Sequence, residues 1–140
     1  MEEITISITP EDIHTEDLKI EQGHCFLNSY NVASKYKSVN IIEGIIVAFT
    51  KERKIFKITP HVWNKRNEVH FDVTNEQVWQ SSDKMIDSAE IKYVSKKLYD
   101  FNDLKNVNEF TFSDETYLEI EIIKKAYGEY EQNTNNKMAD

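Results

Sequence analysis

Ile41-Ile42-Glu43-Gly44-Ile45-Ile46-Val47-Ala48-Phe49 is the stretch that most limits how this chain can fold. Its apolar, mostly β-branched residues run almost without a break, which suits a strand covered on both faces. Such a strand has to lie inside a sheet with layers above and below. Two residues interrupt the run. Gly44 marks a bulge or a point where a backbone or ligand comes close, and Glu43 puts a carboxylate among apolar neighbours, so both are candidate substrate-binding positions. Thr50 to Lys54 is polar enough for a turn, after which Ile55 to Thr59 runs back antiparallel. Pro60 then implies a bulge or a sheet edge at the point where the strand presents His61.

Pro60 to Thr74 reads as a tight hairpin. With the turn centred on Arg66-Asn67, His61 falls directly opposite Asp72 and Trp63 opposite His70, all on one face. Val62, Val69, Phe71 and Val73 alternate onto the other. One face of the hairpin is therefore apolar, and the other carries an imidazole and a carboxylate.

Cys25, the sole cysteine of the 140 residues, lies at the start of a predicted helix in which Phe26, Leu27, Tyr30, Ala33 and Tyr36 recur at helical spacing. Gly23 just before it supplies backbone freedom for a tight entry. A helix beginning at His24 or Cys25 sets the thiol at the positive end of the macrodipole, which favours the thiolate. Thiol, imidazole and carboxylate are the parts of an activated nucleophile: Cys25 attacks, His61 handles the proton and Asp72 orients the ring. Asn28, one turn after the cysteine, either reaches across the site or bonds nearby backbone. Trp63 is a core aromatic that could also shield the base from water. The same Cys25 could instead be a buried, inert thiol, since unpaired cysteines are among the most buried residues. His24, Cys25, His61, His70 and Asp72 offer donors that zinc accepts, but no pair has Cys-x-x-Cys or His-x-x-x-His spacing, so neither a metal nor a cofactor is expected.

Elsewhere, Ile4 to Thr9 alternates like a short strand ended by Pro10, and residues 11–22 read as loop and short turns. Val78 and Trp79 should dock on the core from a loop. Ala89 to Tyr99 has strand composition, Asp100 caps a short helix over 101–107, and Ser113 caps a longer one. That last helix should bury Tyr117, Ile120, Ile123, Ala126, Tyr127 and Tyr130. The expected fold class is α+β, with a cysteine-bearing helix packed on an antiparallel sheet and a C-terminal helix: one domain over 1–130 and a frayed tail over 131–140.

Composition narrows the function. With 39% hydrophobic and 30% charged residues the chain suits a globular protein, and a net charge of −8 argues against general nucleic-acid binding. No apolar run approaches the roughly 20 residues that span a bilayer, so no membrane partner is expected. Met1-Glu2-Glu3 lacks the basic start of a signal peptide, and a lone cysteine suits a reducing compartment, so a cytoplasmic setting is expected. Lys51, Arg53, Lys54, Lys57, Lys65 and Arg66 face only Glu52 within residues 51–66, a basic stretch that could favour an anionic substrate or simply be solvated surface.

Cys25 at a helix start, the apolar strand with Glu43-Gly44, His61-x-Trp63-Asn64 and Asp72-Val73-Thr74, in that chain order, resemble the transglutaminase-like branch of the papain-like cysteine enzymes. The resemblance covers about residues 20 to 80. It implies a papain-like core, Cys25 as nucleophile, His61 as base, Asp72 as orienting acid and the Cys25 backbone N–H in the oxyanion hole. The reaction implied is acyl transfer on an amide or ester through a thioester, with a peptide, protein or small amide as substrate. His61 is followed by Val62 where that branch usually has alanine, and the His61-to-Asp72 interval lacks its glycine and second tryptophan. The peptide-cleaving papain-like enzymes instead supply a side-chain oxyanion donor ahead of the cysteine, a place Gln22 could take, although it lies closer to Cys25 in sequence than that family puts it. The alternative reading is a catalytically inactive scaffold of this kind, serving as a binding module or small inhibitor of phage or mobile-element origin.

Overall fold

β3 (Asn40–Phe49) occupies the centre that its composition demands, with every residue from Ile41 onward buried. The structure, a computed structural model, describes residues 2–76 and 90–127. β3 pairs antiparallel with β4 (Ile55–Arg66) on one side and β6 (Glu90–Tyr99) on the other. β5 (Val69–Phe71) lies beyond β4, and the N-terminal strands β1 (Glu2–Ile4) and β2 (Ile6–Ser7) complete the order β1-β6-β3-β4-β5-β2. β1 and β2 stand at opposite ends of that order, yet only Thr5 separates them. One residue spans at most about 3.6 Å, so the sheet curls until its two edges meet. The fold class is α+β as expected. The sheet is mixed rather than purely antiparallel, because β2 runs parallel to β5 where the N-terminal arm closes the curl.

Side chains alternate between the inside of the curl and its outer surface. Ile42, Ile46, Trp63 and Tyr93 pack inside with Ile4, Ile6 and Ile91. Outside, α1 (Cys25–Lys35) lies on Ile41, Val62, Phe71 and Val73. α2 (Phe101–Leu104) begins at an Asp100–Asp103 capping box, as the sequence predicts. α3 (Asp114–Ala126) packs Ile120 against Ile45, Val47, Phe49 and Val94. No helix among the described residues is long and apolar enough to cross a membrane.

Periodicity placed Phe26, Tyr30, Ala33 and Tyr36 of α1 correctly against the core but misjudged Leu27 and much of α3. α1 buries Asn28, Ser29, Val32 and Ala33 and leaves Leu27 50% exposed; Ser29 spends its polar groups on β4, and Asn28 spends its own on Glu21 and Thr74. On α3 only Thr116 and Ile120 are fully buried, and Tyr117 and Tyr127 are exposed. Tyr130, Val78, Trp79 and the 131–140 tail lie outside the described residues. The basic stretch is also not one patch: from Lys54 to Lys65 the chain runs the length of β4, about 35 Å at 3.3 Å per residue. Its two arginines are paired as well, Arg53 with Glu90 and Arg66 with Asp12 through two bonds of 2.7 Å.

Glu43 and Gly44 present nothing to a ligand, which corrects their assignment as substrate-binding residues. Glu43 is 0% exposed, and its carboxylate accepts from Tyr99 Oη (2.9 Å), Ser113 N (2.8 Å), Ser113 Oγ (2.9 Å) and Thr116 Oγ1 (2.5 Å). Burial pushes its pKa up, but the donors from Thr116, Ser113 and Tyr99 overcome that and hold it below the usual value. Bonds to a charged group contribute roughly 1.5–3 kcal/mol each, so four of them match the several kcal/mol that burying an ion costs. Ser113 thus spends its hydroxyl on Glu43 and makes no side-chain cap of its own. The buried carboxylate takes over as the negative group at the N-terminus of α3. Gly44 pairs with His61 on β3's inward side and with Ser95 across a register shift. Both sequence expectations for it hold: a bulge, and a close approach, the latter by the Trp63 ring and the Val94 carbonyl.

Candidate active site

The hairpin forms one step further along than the sequence suggests. Arg66 pairs with Val69, Lys65 with His70 and Asn64 with Phe71, so the turn is Asn67-Glu68 with Asn67 at φ +56°. A slip of one residue would have sent every side chain to the opposite face. This slip is of two, so the faces survive while direct pairs become diagonal ones. His61 and Asp72 still meet, Nε2 to Oδ2 at 2.9 Å. Trp63 Nε1 still donates to His70 Nδ1 at 3.0 Å.

Asp72 is fixed by its own chain and by a neighbouring strand. It stands at the start of a helical turn over residues 73–76, where the Asn75 N–H approaches Oδ1 at 3.4 Å and the Glu76 N–H bonds its carbonyl at 3.0 Å. Asn75 Nδ2 donates to Oδ2 at 3.1 Å, and the Tyr93 hydroxyl of β6 donates to the same oxygen at 2.5 Å. Burial and the Asp72 charge push the Tyr93 pKa far above its usual value, so the phenol remains a donor. His70, behind Trp63, is held neutral by burial and then by Lys65, which lower its pKa.

α1 brings the thiol in from outside the sheet. β5 covers β4 only from Asn64 to Arg66, so nearer His61 β4 has no β5 partner among the described residues. That is the edge implied by Pro60. α1 fills it: the Val62 N–H donates to the Cys25 sulfur and the Ser29 hydroxyl donates to the Val62 carbonyl at 3.3 Å. Cys25 and Ser29 are four residues apart and therefore share a helix face. Asn64 Nδ2 adds a bond to the Ser29 carbonyl at 3.0 Å. The turn ahead of the cysteine is shaped by Gly23, at φ +86°, and by Asn28. Asn28 is 1% exposed, accepts from Glu21 N (3.1 Å) and donates to Glu21 O (2.7 Å) and Thr74 Oγ1 (2.9 Å). Asn28 thus bonds nearby backbone at Glu21 and also reaches Thr74, and it couples the turn before Cys25 to the segment after Asp72.

With Nε2 engaged by Asp72, Nδ1 is the ring nitrogen that remains for the sulfur. Burial pushes the Cys25 thiol up, but the hydrogen bond and charge of His61, with the Val62 N–H, outweigh it and set the thiol below its usual pKa. Burial likewise pushes His61 down, and the hydrogen bonds of Asp72 and Cys25 overcome it, raising the ring to about 9. Both shifts favour a thiolate–imidazolium pair. The first intrahelical bond of α1 is Asn28 N–H to His24 O at 2.9 Å. The N–H groups of Cys25, Phe26 and Leu27 precede it and belong to the helix's positive end.

Trp63 is 0% exposed and packs edge-on against Tyr93 at 5.0 Å, beneath His61. It is a core aromatic stacked 6.3 Å from the His61 ring. Gln22 lies on the surface of the turn before α1. Among the described residues no group of three His, Cys, Asp or Glu side chains could hold a metal ion. A cavity of about 490 Å³ lies between residues 17–21 and the outer side of α1; it touches Leu27 and Asn28 but not Cys25. Four contributors escaped sequence reasoning: Ser29, the Val62 N–H, Asn75 and Tyr93. Ser29 was within reach as the residue one turn after Cys25. Tyr93 is one strand residue among several of the same composition, and only the closing of the sheet aims it at Asp72.

The pair makes a thermodynamic prediction. Taken singly, His61 contributes stability that is complete below the unfolded value of 6.5 and lost as pH rises through about 9. Cys25 contributes stability that is complete above 9.0 and lost as pH falls through its lowered folded value. Where the windows overlap the two slopes cancel. Cys25→Ser removes the rising component, so the melting temperature of the variant should fall further behind the wild type as pH is raised from 6.5 towards 9, by a gap on the order of a few degrees. Calorimetry across that range checks it, and a constant or narrowing gap contradicts the ion pair.

The curled sheet and its two outer helices thus define an α+β protein with a cysteine–histidine–aspartate constellation at the sheet edge. Compared with models of known protein families, with curated proteins and with solved structures, the chain matches none of them.

Proposed function

We propose that this protein is a cysteine-dependent acyl-transfer enzyme with a papain-like, transglutaminase-like core, acting on an amide or ester in a peptide, protein or small molecule. The observation that carries this reading is a thiol at a helix N-terminus sharing a hydrogen bond with a histidine whose far nitrogen is bound to a buried aspartate at 2.9 Å. The Cys25 thiolate attacks the carbonyl carbon, and the electron pair of the C=O bond moves onto oxygen. In this reading the backbone N–H of Cys25 receives that oxyanion, a contribution of about 3 kcal/mol per donor. His61 gives its Nδ1 proton to the departing amine or alkoxide, the C–N or C–O bond breaks, and a thioester remains on Cys25. Water or an amine then attacks the thioester with neutral His61 as base, which regenerates the thiolate and the imidazolium.

Exposure to p-nitrophenyl acetate, followed by intact mass spectrometry, tests this. One acetyl group should appear, be removed by hydroxylamine as a thioester is, and be absent from Cys25→Ala. A Cys25 that takes no acetyl group, and that iodoacetamide labels no faster in the folded protein than in urea, would make the scaffold a binding module instead.

A further inference from the structure

Three donors from three parts of the chain converge on one atom, Asp72 Oδ2: His61 Nε2 from β4 at 2.9 Å, the Tyr93 hydroxyl from β6 at 2.5 Å, and Asn75 Nδ2 at 3.1 Å. A carboxylate oxygen has two lone pairs, so these donors compete. Tyr93 is 3% exposed, edge-on to Trp63 at 5.0 Å and edge-on to His61 at 6.4 Å. The packing leaves its hydroxyl aimed at Asp72.

We propose that Tyr93 is a positioning residue for the Cys25 reaction: by drawing part of the Asp72 charge onto its own hydroxyl, it lets His61 release its proton to the leaving group. The inference rests on the acyl-transfer reading given above. A hydrogen bond to a carboxylate is strengthened by the charge it neutralises, and charge shared with a phenol no longer stabilises the imidazolium. His61, raised to about 9, is a sluggish acid near neutrality. Without Tyr93 it would hold its proton more firmly still. The titratable groups facing this point are Cys25 from α1, His61 from β4, Asp72, Tyr93 from β6, and His70 from β5, the last screened by Trp63 and held neutral. β3 brings Ile42, Gly44 and Ile46 to this face, and β1 and β2 bring Ile4 and Ile6. None of these carries a charge. Asp72 and Tyr93 therefore set the proton affinity of His61 from its inner side.

Tyr93→Phe keeps the ring and its packing and removes only the oxygen. Without any substrate, the His61 ring titration followed by NMR should move up by about one pH unit. Acylation by a p-nitroanilide, whose leaving amine needs a proton, should slow about tenfold, while acylation by p-nitrophenyl acetate, whose leaving group does not, should keep its rate. In an Asp72→Asn background, Tyr93→Phe should add no further shift. Fluorotyrosine at 93, introduced by amber suppression, is a stronger donor and should move the His61 titration down. An unmoved titration, or equal slowing on both substrates, would overturn the proposal and leave Tyr93 a packing residue. A wild-type Cys25 with the alkylation profile of an ordinary thiol would instead overturn the acyl-transfer reading beneath it.

Discussion

His61→Ala is expected to slow alkylation of Cys25 by iodoacetamide at pH 6.5 by roughly two orders of magnitude, the lower range of what a positioned acid–base group contributes. The largest influence on the thiol is burial, which disfavours the thiolate, and the His61 hydrogen bond and charge are the main terms opposing it. Removing the ring leaves burial in command. It also leaves the Asp72 charge, which pushes the thiol in the same upward direction. The sign is therefore fixed: the variant's reactivity should appear only at alkaline pH, whereas the wild type should react well below it. His61→Gln separates charge from packing, because an amide can still donate to Asp72 but cannot pair with a thiolate; it should behave like the alanine variant in labelling while unfolding closer to the wild type. Stopped-flow labelling from pH 5 to 10 provides the comparison. Equal rates for wild type and both variants would show that Cys25 owes nothing to the imidazole.

Gly44→Ala should be strongly destabilising, costing about 3 kcal/mol or more. A Cβ there would overlap the Val94 carbonyl oxygen and the far edge of the Trp63 indole, with Trp63 Cζ3 only 2.9 Å away. Neither can yield cheaply. The carbonyl belongs to β6, paired with β3 along its length, and the indole is fully buried and tied to His70 at 3.0 Å. Moving the indole would also disturb His61, which pairs directly with Gly44 and stacks near Trp63. The reactivity of Cys25 should therefore fall together with stability. Gly23→Ala is the control: its Cβ would meet no atom within 4 Å, and its φ of +86° alone is at issue, a cost of about 1–2 kcal/mol. Urea unfolding of the two variants ranks them, and a Gly44→Ala protein as stable as Gly23→Ala would mean that the β3–β6 spacing is more forgiving than the geometry indicates.

Sequence period alone determined the parts of this protein that depend on local alternation. An unbroken apolar run became the central strand β3, and period-two patterning placed His61, Trp63, His70 and Asp72 on one face of a hairpin. Those assignments tolerated a wrong turn because an even register slip preserves faces. The start of α2 was legible too, since Asp100 satisfies backbone donors that a helix N-terminus leaves open. Tertiary structure alone decided what non-local geometry controls: that the sheet curls shut through Thr5, that α1 buries Asn28 and Ser29 along with its apolar residues while Leu27 stays exposed, and that Tyr93 reaches Asp72. Glu43 shows why. A buried carboxylate in a strand looks like a ligand site until the four donors that satisfy it arrive from residues 99 to 116. A sequence shows which polar groups will need partners, and only the folded chain shows which groups distant in sequence become those partners.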